Sequence, residues 1–161
     1  MHRGLATIGA AVLVASIAGP AFAAQPAYLD DRSTADSLVR SFYNAINRFE
    51  YSRAYTYFGK AGWPVPYAQF VQGYADTNSV TVLTGTVSGD GAAGSTYYTL
   101  PVAIDARSTH GTEQQFAGCY TTRLIQPSNQ DPPVEPMYIY KATLHPAQGA
   151  LRAILPHCDP Q

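Results

Sequence analysis

The sequence predicts an α+β fold: three N-terminal helices packed on a curved antiparallel sheet of four to five strands. Three observations lead there. Apolar residues recur with a helical period up to about Tyr74, the period changes to two from Thr77 onward, and Gly- or Pro-containing turns separate the later segments. Helices that precede strands, rather than alternate with them, indicate an antiparallel sheet covered on one face.

The first element is a helix whose start is marked by Ser33-Thr34-Ala35-Asp36, a capping-box pattern with a hydroxyl for the free amides and a carboxylate three residues later. Leu38, Phe42, Ile46 and Phe49 then fall at spacings of four, four and three, so they form one apolar stripe facing a core. A second, short helix is expected over Glu50 to Phe58, ended by Gly59. Trp63-Pro64-Val65-Pro66 must be extended or turning, because each residue before a proline avoids the helical well. Pro66 can open a third helix through Tyr67, Phe70, Val71 and Tyr74.

A β-rich stretch follows from Thr77 to Ser88. Gly89-Asp90-Gly91-Ala92-Ala93-Gly94 reads as a glycine-rich connecting turn. Tyr98, Leu100, Val102 and Ile104 alternate in the clearest strand, whose Pro101 requires an edge or a bulge. In the next strand Phe116, Gly118, Tyr120, Thr122 and Leu124 share the inner face, so Cys119 points to the opposite side. Pro127 to Pro136 is a loop, Met137 to His145 a strand, and Leu151 to Leu155 a last short strand. A curved sheet wrapped on the long first helix leaves a hollow beside it.

Residues 1–23 read as a secretory signal peptide: Met1-His2-Arg3 is cationic, Leu5 to Ile17 is apolar, and Ala21-Phe22-Ala23 is a small-x-small cleavage site. That apolar core is shorter than the ~20 residues of a spanning helix. Residues 24–32 form an extended lead-in and 33–161 a single domain. Export, to periplasm or medium, places Cys119 and Cys158 where a bridge persists, so a disulfide is expected over two separate buried thiols. Closing that loop would contribute about 4 kcal/mol by chain entropy and pin the C-terminal tail.

Charge excludes one class of function. Lys and Arg number 10 against 11 Asp and Glu in 161 residues, so there is no cationic excess to neutralise a nucleic acid. There is no Gly-x-Ser-x-Gly and no Lys-Ser/Thr after the glycine-rich turn, which excludes two nucleophile and phosphate-loop patterns. No metal site and no cofactor are expected. His110, His145 and His157 read as loop or surface residues.

The helical opening Leu38-Val39-Arg40-Ser41-Phe42-Tyr43-Asn44-Ala45-Ile46, the following Tyr51-Ser52-Arg53-Ala54-Tyr55 and the run of long strands resemble the nuclear transport factor 2-like superfamily. The resemblance spans about residues 33 to 158. It implies a cone-shaped fold, and in the enzymes among its members an Asp or His base within the cone. Asp76 and Asp105 are the acids to consider for such a base, although their positions in the pattern read more simply as a loop residue and the polar phase of a strand.

The distinctive chemistry is tyrosine, with twelve residues against one Trp. A phenol offers a flat apolar face and a hydroxyl, which suits an amphipathic ligand. Tyr98 and Tyr120 point inward, Tyr55 and Tyr74 face them from the helices, and Arg53 and Arg123 could contact an anion. Three functional readings follow. The first is an exported non-catalytic domain binding a small molecule or a cell-envelope partner on a tyrosine-rich concave face. The second is a small isomerase, dehydratase or cyclase with a buried Asp. The third is a secreted inhibitor or assembly factor that contacts proteins through the Pro127 to Pro136 loop.

Overall fold

The computed structural model describes residues 25–60 and 65–159; the expected leader and the Trp63-Pro64 part of the segment before the third helix lie outside the described residues. The architecture is α+β, with a curved five-stranded antiparallel sheet and four helices, three before the sheet and one after it.

Helix α1 spans Ala35–Asn47 and buries Leu38, Val39, Phe42, Tyr43 and Ile46, none more than 2% exposed. Full burial of each such side chain stabilises by about 1.5–3 kcal/mol at most, which explains why this helix forms the centre of the core. Its cap is one residue later than the capping-box reading: Thr34 Oγ1 accepts from Ser37 N at 3.1 Å. Asp36 turns away from the cap to Arg40 (2.9 Å) and Thr84. At the other end Phe49 N donates to Ile46 O and Glu50 N to Ala45 O, both at 2.9 Å, which is a Schellman closure. Phe49 holds the left-handed position at φ 59° that glycine usually takes, with its ring 49% exposed.

Helix α2 is only Tyr51–Tyr55, shorter than the Glu50 to Phe58 expected. The chain leaves the helix to pair: Tyr57 O accepts from Ile139 N at 2.8 Å and Phe58 bridges Ile139 in parallel. Helix α3, Tyr67–Gly73, follows Pro66 as expected and buries Phe70.

The strands are β1 Thr77–Thr84, β2 Ser88–Ala92, β3 Ser95–Ser108, β4 Glu113–Ile125 and β5 Tyr138–Ala147. The sheet order is β1-β3-β4-β5, with β2 beside β1 on the same edge of β3. Two expectations are corrected here. Ser88–Ala92 is a strand paired with β3 and not a connecting turn; only Ala93-Gly94, at φ 46° and 74°, make the tight turn. Leu151–Ile154 is a helical turn, α4, and not a strand.

Pro101 lies in the middle of a central strand, yet the edge it faces is interrupted. Val102 pairs with Thr84 of β1 and Thr99 with Ser88 of β2, so Pro101 falls at the break between them. Its carbonyl accepts from Gly85 N at 2.8 Å, and its missing N–H coincides with the gap.

Leu100, Val102, Ile104 and Tyr120 meet α1 on the inner face. The opposite face carries Pro101, Ala103 and Cys119. The tail after β5 crosses that face: α4 packs on β3, Leu155 and Pro101 both close on Gly85, and a Cys119–Cys158 disulfide holds the tail with Cα atoms 5.9 Å apart. No helix among the described residues is long and apolar enough to cross a membrane.

The lead-in at 25–32 is tied to the helices by side chains. Asn44 donates to Ala27 O (2.8 Å) and accepts from Leu29 N (3.0 Å), as a strand partner would. Tyr57 OH donates to Asp30 Oδ1 at 2.7 Å, and Arg53 reaches Leu29 O at 2.7 Å.

Candidate functional site

The hollow lies between α3, α1 and the wide end of the sheet, with a volume of about 710 Å³. Phe70 and Tyr74 from α3 and its C-cap form one wall, Ile104, Ala106 and Phe116 from β3 and β4 the other. The positions follow from period: even-numbered residues of β3 face the helices, and Phe70 and Tyr74 are four apart. Gln69, Gln72 and Gln114 supply neutral polar groups at exposed positions. No carboxylate, imidazole or cation stands among the described residues that line it.

A second, smaller cavity of about 400 Å³ adjoins it, lined by Phe58, Tyr120 and Ala142 among others, with Lys141 the charged residue present. Phe70, Tyr74 and Leu144 belong to both cavities.

Three tyrosines dominate the polar chemistry. Tyr43 lines the larger cavity and Tyr120 the smaller, and their hydroxyls, both buried, are hydrogen-bonded at 2.7 Å. Burial pushes both phenols well above their ordinary value, and Tyr74 is close enough that its charge would oppose theirs. Tyr74 itself is pushed up to about 12 by burial. The hydroxyls around the hollow therefore remain protonated at physiological pH and act as hydrogen-bond donors, not as phenolate bases.

The sequence-derived candidates divide. Tyr74 and Tyr120 line the cavities. Tyr98 faces inward but packs against the core away from both, and Tyr55 donates its hydroxyl to Val65 O at 2.8 Å, its ring against Tyr67 and Phe70. Arg53 is taken up by Glu50 (2.6 Å), Tyr57, Leu29 and Asn44 on the far side of α1. Arg123 lies on the outer face, bonded to Ser95 Oγ (3.1 Å) and Tyr138 OH (3.2 Å).

Neither acid considered as a base is in the hollow. Asp76 is in an exposed turn, held by Thr109 and 3.8 Å from His110. Asp105 is on the outer phase of β3, accepting from Gln115 at 3.4 Å. His145 is exposed on β5, and His157 is exposed in the tail, 3.2 Å from Asp159. The loop from Pro127 to Pro136 contains a 3₁₀ turn over Pro127–Asn129 and exposes Val134. Gln130 organises it, accepting from Glu135 N at 2.7 Å and donating to Glu135 O at 3.2 Å.

Sequence reasoning missed Tyr43 and the three glutamines. Tyr43 was detectable: Val39, Tyr43 and Ile46 make a second apolar line beside Leu38, Phe42 and Ile46, so α1 presents a broad face rather than one stripe. The glutamines carry no pattern of their own.

No family model and no curated protein matches the chain. Among solved structures it is similar to a protein of the NTF2-like family from Streptomyces avermitilis, with a TM-score of 0.46 and 11% identity over 70% of this chain and 93% of that one.

Proposed function

We propose that the protein is exported and holds a small, uncharged, mainly apolar molecule in the hollow, without chemistry performed on it. One observation carries this reading: a cavity of about 710 Å³ whose described lining is apolar side chains, phenols, carboxamides and the Thr77 hydroxyl, with no group able to take or give a proton near neutral pH. Sites of this size and apolar character with a few polar anchors suit small-molecule binding, whereas acid–base catalysis needs a titratable group within reach of the substrate. The leader pattern and the Cys119–Cys158 bridge support the exported setting.

The neutral fluorophore N-phenyl-1-naphthylamine tests it. The wild type is expected to bind it saturably, near one probe per chain, and Ala106→Trp, which fills the hollow from β3, abolishes that binding while far-UV circular dichroism stays unchanged. A fluorescence rise that never saturates, or one equal in Ala106→Trp, overturns the proposal.

A further inference from the structure

We propose that Asp90 is a modification site: in the folded protein its side-chain carboxyl condenses with the Gly91 amide to a succinimide, which water reopens to an isoaspartyl linkage. The inference is independent of the hollow and of what it holds.

The sequence sets this pair apart. Attack by a main-chain nitrogen on the preceding aspartyl carboxyl is least hindered where the nitrogen belongs to glycine, and Asp90-Gly91 is the one Asp-Gly in the chain. Asp131 and Asp159 precede prolines, which have no amide proton to release. The amide after Asp36, that of Ser37, is spent on Thr34 Oγ1.

A regular strand blocks this reaction when the ladder holds the amide, but β2 leaves this one out. Ala92 and Ser95 close the two-residue turn at Ala93-Gly94, so they form a hydrogen-bonded pair. Antiparallel pairs alternate, which makes Gly91 and Thr96 a pair without such bonds. The Gly91 N–H therefore points away from β3, towards the side on which β2 has no strand neighbour. It donates to Asp90 Oδ1 at 2.8 Å, so the carboxyl is already held against the nitrogen that attacks it. Both residues are exposed, and nothing lies within 4 Å of where a Gly91 Cβ would stand.

In the first step Gly91 N bonds to Asp90 Cγ, the Cγ–OH bond breaks, and that hydroxyl leaves as water with the amide proton. Water then adds to either carbonyl of the ring. Opening at Cγ restores aspartate. Opening at the main-chain carbon leaves the chain running through Cβ and Cγ, with a free carboxylate on Cα and no change in mass. The longer linkage cannot keep Gly91 opposite Thr96 and Ala92 opposite Ser95, so the turn end of β2 loosens.

The test ages the folded protein at neutral pH and counts isoaspartyl sites with an isoaspartyl carboxyl methyltransferase and tritiated S-adenosylmethionine. The label is expected to accumulate in the wild type, several-fold more slowly in Gly91→Ala, and to be lost in Asp90→Glu, whose longer side chain does not close the same ring. Far-UV circular dichroism confirms that all three are folded, and a guanidinium-unfolded wild type gives the rate without the fold. No accumulation in the folded wild type, whatever the unfolded chain does, overturns the proposal, because the strand then protects the site. Label that persists in Asp90→Glu also overturns it, by placing the reaction at another residue.

Discussion

Replacing Tyr120 by Phe removes one hydroxyl from a buried pair and leaves the other, on Tyr43, with nothing to bond. Both residues are only 2% exposed, so water does not readily take the vacant place. Leaving a buried polar group unmatched costs about 1–3 kcal/mol, whereas removing both partners together restores balance and costs less than twice that. Tyr120→Phe and Tyr43→Phe are therefore each expected to lower stability by about 1–3 kcal/mol, roughly 3 °C in Tm per kcal/mol for a chain of this size. The double variant should be no worse than the poorer single, giving a coupling of about 1 kcal/mol or more in a double-mutant cycle. Urea denaturation of the four proteins, followed by far-UV circular dichroism, measures it. Tyr74→Phe serves as the comparison and should fall within about 0.5 kcal/mol of wild type, because its hydroxyl has no protein partner to lose among the described residues. Additive losses in the double variant, or an equal loss in Tyr74→Phe, would refute the assignment of paired and unpaired phenols around the hollow.

Phe49→Gly is expected to stabilise the protein by about 0.5–1.5 kcal/mol, since relief of the left-handed backbone is worth about 1–2 kcal/mol against roughly 0.5 kcal/mol for its edge contact with Tyr51; a lower urea midpoint would show that the ring contributes more than the backbone costs. Stability against pH should be flat from about pH 5 to 10 and fall on both sides. On the acid side, burial alone would raise the Asp30 carboxyl, but the Tyr57 hydroxyl with Arg32, Tyr28 and Arg53 outweighs it and holds the group below its ordinary 3.8. That stabilisation is present above the unfolded value and disappears as pH falls through the lower folded one, so Asp30→Asn should flatten the acid limb. On the alkaline side burial raises Tyr43, Tyr74 and Tyr120 above 10.0, so their contribution is complete below the unfolded value and is lost as pH climbs past it.

Legibility followed how much each element depends on side-chain pattern. Helix α1 could be read because its burial is periodic, and β3 because Leu100, Val102 and Ile104 alternate. Its cap was displaced by one position because Ser33 and Thr34 offer the same hydroxyl, and only the backbone path decides which amide is reached. Strand β2 could not be read at all: Gly89, Asp90 and Gly91 have poor strand preference, and the segment is held by backbone pairing with Tyr98, Tyr97 and Thr96. Helix α2 is curtailed by a partner, Ile139, that lies eighty-odd positions away and leaves no local sign. Four residues at α4 are too few for any period. Among the candidate site residues, the phase of Tyr74 and Tyr120 brings them to the cavity walls, whereas Arg53 and Arg123 are bonded within the protein, and charge alone does not tell a ligand contact from an internal tie. The outward phase of Asp105 was already visible in the alternation of β3, and the structure agrees with it.

The interruption opposite Pro101 has a mechanical meaning. Where β1 ends and β2 begins, the long strand β3 has no continuous neighbour on that side, so the two halves of the edge are free to take different inclinations. Leu155 and the disulfide-held tail lie across this point, with Leu155 closing on Gly85 as the proline ring does. The break in the edge and the tail that covers it therefore coincide at one place on the sheet.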